Sequence, residues 1–141
     1  MSKQLLYLCL LSLYCFQTQG QEWQVLPTSP TSERFEDIFF VDDQQGWTVN
    51  KEGQIFKTTD GGLNWREVYN EPDYFLRSVE FLDDQVGFAG TLNEVLLRTT
   101  DGGENWNELA IPDGVRALCG LSHVGDNVYG VGAWFNPAFF I

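Results

Sequence analysis

Sliding the sequence by 41 residues lays Phe35–Val68 on Leu76–Leu109 without a gap, and 13 of the 34 aligned pairs are identical. The identities are Phe40/Phe81, Asp42/Asp83, Asp43/Asp84, Gln44/Gln85, Gly46/Gly87, Thr58/Thr99 through Gly62/Gly103, Asn64/Asn105, Trp65/Trp106 and Glu67/Glu108. Apolar character persists at Ile38/Val79, Trp47/Phe88, Ile55/Leu96, Phe56/Leu97 and Val68/Leu109. A repeat of this length is one supersecondary unit, which buries its apolar face only by stacking against its neighbours. The chain must therefore be an array of such units.

Each copy reads as four short strands. DIFFV and SVEFL come first, with Val79 and Phe81 alternating with Ser78 and Glu80 at a period of two. The turns DDQQG and DDQVG follow, rich in residues that tolerate positive φ. GWTVN and GFAGT form the second strand, QIFKT and VLLRT the third, NWREV and NWNEL the fourth. Four strands at a period near 40 make one blade of a β-propeller. The expected fold class is all-β, a propeller of four-stranded blades with whole blades at 35–70 and 76–111. Trp23, Trp65 and Trp106 fall 42 and 41 residues apart, so 21–30 reads as a lone fourth strand. At the other end, Arg116 and Leu118 answer Arg77 and Val79, and 115–141 reads as a truncated blade. Two whole blades and parts of two others cannot close a ring of ~4–8 blades. The propeller is expected to be incomplete, a fragment of a longer protein.

The most repeated words are KTTDGGLNW at Lys57–Trp65 and RTTDGGENW at Arg98–Trp106, both at the hairpin between strands three and four. A phosphate-binding P-loop needs Gly-Lys-Ser/Thr ahead of a helix, and neither is present. An EF-hand needs several carboxylates at alternate positions, and this motif has one. The expected role is local. Asp60 and Asp101 accept N–H groups two or three residues on, Gly61–Gly62 and Gly102–Gly103 supply positive φ, Thr58 and Thr99 offer a hydroxyl, and Trp65 and Trp106 cover the turn. Thr58, Asp60, Gly62, Trp65, Thr99, Asp101, Gly103 and Trp106 are thus structural residues. No metal site, cofactor or catalytic constellation is expected.

Charge narrows the partners. Eight Lys+Arg stand against 20 Asp+Glu, for a net charge of −12. Such a chain repels phosphate backbones, which argues against nucleic acid. Residues 1–20 have the order of a secretory signal peptide: Lys3, the 12-residue apolar run LLYLCLLSLYCF, then Thr18 and Gly20 at small-residue cleavage positions. The run is too short to span a bilayer, and no membrane span is expected after cleavage. Bulky Tyr14 before Cys15 makes acylation there the weaker reading. Removing the leader removes Cys9 and Cys15 and leaves Cys119, read as a buried small hydrophobe with no disulfide to form. The lone His123, in LSHVGDN, reads as a loop residue.

Thr58-x-Asp60-x-Gly62-x-x-Trp65 and Thr99-x-Asp101-x-Gly103-x-x-Trp106 match the Asp-box, or BNR repeat, of sialidases and other propellers. The longer wording from Phe35 to the C-terminus resembles the photosystem II stability/assembly factor-like propellers. That resemblance implies a non-enzymatic, exported binding or assembly scaffold with a protein partner. It implies a periplasmic or extracellular location, or a thylakoid lumen in a photosynthetic organism. It also implies that propeller arginines meet the partner, for which Arg77 and Arg116 are the candidates, with Glu36 at the matching place in the first copy and Arg34 two residues before it. Two alternatives stay open. One is a sialidase-like glycoside hydrolase whose arginine triad, tyrosine nucleophile and acids would lie outside this sequence. The other is a secreted surface protein.

Overall fold

In the computed structural model, which describes residues 23–26, 29–132 and 139–140, the 41-residue repeat becomes two sheets of one design. The signal peptide read over residues 1–20, with Cys9 and Cys15, lies outside the described residues. The first sheet is β1 (Phe35–Phe40), β2 (Gly46–Asn50), β3 (Gln54–Thr58) and β4 (Arg66–Asn70), in that spatial order. The second is β5 (Leu76–Phe81), β6 (Gly87–Thr91), β7 (Leu96–Thr99) and β8 (Asn107–Leu109). All neighbours are antiparallel, and even the irregularity recurs: register shifts between Phe35 and Asp37 on β1, and between Leu76 and Ser78 on β5. A third sheet has the order β11 (Phe139–Phe140), β10 (Asn127–Val131), β9 (Gly120–Val124). No helix occurs among the described residues. The fold is all-β, an incomplete β-propeller of four-stranded blades, each with an Asp-box hairpin between its third and fourth strands.

Successive first strands pack side by side, β1 on β5 and β5 on β9. Two polar contacts at equivalent positions pin them. The Asp37 carboxylate accepts the Val79 N–H at 2.9 Å, and one repeat later the Ser78 hydroxyl donates to the Leu118 carbonyl at 3.3 Å. Between the sheets, Trp47 and Val49 of the first blade meet Val79, Phe81, Ala89 and Leu97 of the second in one buried cluster. The Trp47 and Phe81 rings stack with centroids 3.5 Å apart. Phe88 and Leu96 of the second blade then meet Val115, Leu118 and Val128 in the next cluster. Full burial of one such side chain contributes about 1.5–3 kcal/mol, so the stacking between blades carries the stability that a lone sheet lacks.

Four expectations change in detail. The fourth strands start at Arg66 and Asn107, because Asn64/Trp65 and Asn105/Trp106 are taken by the preceding turn. Trp23–Leu26 form no strand; Trp23 and Val25 are almost fully exposed, while Leu26 reaches over Gly62. Cys119 is free and only half-buried. His123 lies within β9, not in a loop, with Leu121 and His123 half-buried and Ser122 and Val124 exposed. The polar lettering of LSHVGDN reflects a strand with one wet face running into the Gly125–Asp126 turn.

Candidate functional site

The Asp-box turn is built around its threonine. The Thr58 hydroxyl donates to Asp60 Oδ1 at 2.9 Å and accepts the Gly62 N–H at 2.9 Å. Asp60 Oδ1 also accepts the Asn64 N–H at 2.8 Å, while its Oδ2 accepts from the Asn64 side chain at 2.8 Å. The second copy repeats each bond with Thr99, Asp101, Gly103 and Asn105, at 2.8, 2.9, 2.9 and 2.7 Å respectively. The aspartate therefore accepts chiefly from the residue four positions on and more weakly from the N–H three positions on, while the hydroxyl takes the N–H two positions on. These donors hold both carboxyls below the ordinary range, the Asn side chain being the largest cause. Asp101 falls to about 2. A carboxylate with its lone pairs filled in this way is neither a free acid nor a ready metal ligand. No cluster of metal-ligating side chains occurs among the described residues.

The arginines sit near the first strands. Arg77 is the second residue of β5, and Arg116 precedes β9. Glu36 of β1, its carboxylate almost fully buried, pairs with Arg77 and also with Arg34. Two guanidinium groups share one carboxylate. Because the carboxylate is buried, it fixes the Arg77 guanidinium in direction as well as in charge. Arg116 is mostly exposed and lies 3.9 Å from Glu94. Such an open pair restrains it little. The position Glu36, read as a gap in the arginine pattern, is instead the anchor of two arginines. Its signal was the Arg34-x-Glu36 spacing, which is visible only once β1 and β5 are known to be neighbours.

Beside this cluster lies a cavity of about 440 Å³, bounded by Leu26, Phe35, Asp37, Ile38, Thr48 and Trp65. Its walls are mainly apolar. Asp37 at its edge already accepts the N–H groups of Ile38 and Val79, both at 2.9 Å. His123 was not foreseen as part of any site. Its Nδ1 stands 2.7 Å from Glu80 Oε1 and ties β9 to β5.

The comparisons agree with this architecture. The chain is similar to a solved structure described as YCF48 bound to D1 peptide, with 26% identity, a TM-score of 0.64, and coverage of 72% of this chain and 36% of that one. It is similar to YCF48 from Cyanidioschyzon merolae at 28% identity and a TM-score of 0.65, covering 74% of this chain and 35% of that one. The chain thus spans about a third of the length of these structures. No curated protein matches it. Residues 16–117 match the family described as photosynthesis system II assembly factor YCF48. With that match covering well over half of the sequence, the chain belongs to the YCF48 assembly-factor family.

Proposed function

We propose that this chain is part of a non-enzymatic assembly scaffold that binds a peptide segment of a partner protein. The observation that carries the reading is its likeness, over 72% of its length, to a YCF48 structure described with a bound D1 peptide. The arginines supply a suitable chemistry. Arg77, oriented by buried Glu36, and exposed Arg116 offer forked donors to main-chain carbonyls or to a carboxylate of an extended peptide. The acidic surface around them disfavours anionic polymers, so a short peptide suits this spot better than nucleic acid. The partner would be met outside the cytoplasm, in a periplasm, an extracellular space or a thylakoid lumen, because residues 1–20 have the layout of a secretory leader.

The experiment is a titration of a D1 peptide against the full chain, with Arg77→Lys and Arg116→Ala beside it. Lysine keeps the charge near Glu36 but loses the fork, so folding is spared while binding is tested. Saturable binding weakened at least tenfold by the double substitution, with unchanged melting, is the expected result. No binding, or equal binding by the variant, overturns this assignment of the site. N-terminal sequencing of exported protein should begin at or near Gln21, and recovery of Met1 would overturn the export reading.

A further inference from the structure

The sequence contains three Asp-Gly steps, Asp60-Gly61, Asp101-Gly102 and Asp113-Gly114, and the fold treats the third differently from the other two. Such a step is labile when the glycine nitrogen can reach the aspartate side-chain carboxyl, because glycine has no Cβ to obstruct the approach. The two Asp-box steps are blocked at both reacting groups. The Gly61 N–H donates to the Gln44 carbonyl at 2.9 Å and the Gly102 N–H to the Gln85 carbonyl at 2.8 Å, which engages both nitrogens. The Asp60 carboxylate is committed to Thr58 and Asn64, and the Asp101 carboxylate to Thr99 and Asn105. These donors also favour the ionised form at each aspartate. A carboxylate anion is a poor electrophile, so neither Asp-box can cyclise without first opening.

Asp113-Gly114 has neither protection. Both residues are exposed, in a turn between β8 and β9 that the Val115 N–H closes onto the Pro112 carbonyl at 3.2 Å. Among the described residues, no hydrogen bond or ion pair engages the Asp113 side chain or the Gly114 N–H. Gly114 has a φ of +87°, and a Cβ there would meet nothing within 4 Å, so its peptide plane can swing without collision. We infer that Asp113-Gly114 is a site of spontaneous aspartate isomerisation in the folded protein, and that the two Asp-box steps are not. The Gly114 nitrogen attacks the side-chain carbonyl carbon of Asp113 in its neutral acid form. A C–N bond forms, the C–OH bond breaks, and the hydroxyl leaves with the amide proton as water, closing a succinimide. Water then opens the ring at either carbonyl. Attack at the side-chain carbonyl restores aspartate; attack at the main-chain carbonyl leaves isoaspartate, with the chain running through Cβ. The water released is returned, and no oxidant or reductant takes part. The product adds a methylene to the backbone between Pro112 and Val115, a residue of the second core cluster.

The test incubates the full chain in warm neutral buffer, folded in one arm and unfolded in guanidinium chloride in the other. Isoaspartate is located by proteolysis, methylation of the peptides with an isoaspartyl methyltransferase, and mass spectrometry. In the folded chain, Asp113 should convert faster than Asp60 or Asp101 by roughly tenfold or more, because the Asp-boxes must first open locally. In denaturant the three steps should convert at comparable rates, since the difference lies in the fold and not in the dipeptide. Asp113→Glu keeps the charge but would have to close a larger ring, and should abolish the signal of the folded chain. Circular dichroism of the folded arm, before and after incubation, shows that the sheets persist. A folded Asp113 that stays unconverted, an Asp-box that converts as fast as Asp113, or the same ranking in denaturant would each overturn the inference.

Discussion

The indole N–H of Trp47 donates to the main-chain carbonyl of Gly102 at 3.1 Å, across 55 positions of sequence. The second strand of one blade thereby closes the Asp-box of the next. A side chain on Gly103 would meet the Trp47 Nε1 at 2.6 Å, so that glycine answers a close approach as well as a φ of +84°. Trp47→Ala should cost about 3–5 kcal/mol through the cavity left against Phe81. Trp47→Phe keeps most of the ring but strands a carbonyl, and should cost roughly 1–3 kcal/mol. Urea unfolding of the three proteins checks the order. Equal stability of wild type and Trp47→Phe would show that the Gly102 bond is idle.

The two Asp-box threonines make parallel predictions. Thr58 and Thr99 are almost fully buried, and each hydroxyl accepts the N–H of a buried glycine. Valine matches the shape and removes the acceptor, so Thr58→Val or Thr99→Val should destabilise by about 1–3 kcal/mol. The losses should be similar, because the bond lengths are the same in both copies. Thermal melts decide it, and a neutral substitution would move the turn's stability onto the aspartate alone.

Acid should loosen the blades from the turns inward. Asp42, Asp60, Asp83 and Asp101 are all held below the model-compound value of 3.8, Asp101 at about 2, by N–H, amide and hydroxyl donors. In each case the fold favours the ionised form. Their stabilisation is complete above pH ~4 and is lost as pH falls through the depressed values toward 2. Melting temperature should thus hold from neutrality to about pH 4 and drop steeply below it. Asp101→Asn should flatten that drop at the cost of stability at neutral pH. A melting temperature that declines from pH 6 would point to a different group.

Much of this fold could be read from the letters because the repeat writes it twice. Identity at Phe40/Phe81, Gly46/Gly87 and Trp65/Trp106 located the sheets and their hairpins. The face assignment was less visible. Trp47 and Val49 look like neighbouring apolar residues of any strand, and only the stack on Phe81 shows which blade they serve. Glu36 and Arg77 are distant in sequence and of opposite charge, so their pairing follows from strand neighbourhood alone. His123 was lost among polar turn residues. The candidate site is less legible than the scaffold for that reason: the repeat encodes packing, whereas the residues that break it, Glu36 against Arg77 or Glu80 against Phe39, interact across blades.

One such departure tests how much freedom the scaffold allows. The turn between β2 and β3 has Gly53 at φ +75°, and the matching turn between β6 and β7 has Glu94 at φ +62°. Left-handed backbone costs an ordinary residue about 1–2 kcal/mol. Glu94→Gly relieves that strain, offset by about 0.5–1 kcal/mol of added chain entropy in the unfolded state and by a weak exposed pair with Arg116. The net effect should lie between neutral and a gain of about 1 kcal/mol. The first copy has no such latitude. A Cβ on Gly53 would fall 1.8 Å from the Glu71 carbonyl oxygen, and the Glu71 N–H donates back to Gly53 at 3.0 Å. Gly53→Ala should therefore lose more than the ~1–2 kcal/mol of backbone strain alone, since the chain after β4 must also shift. Urea unfolding of both variants checks this, and a loss from Glu94→Gly as large as that from Gly53→Ala would show that the second turn has no more latitude than the first.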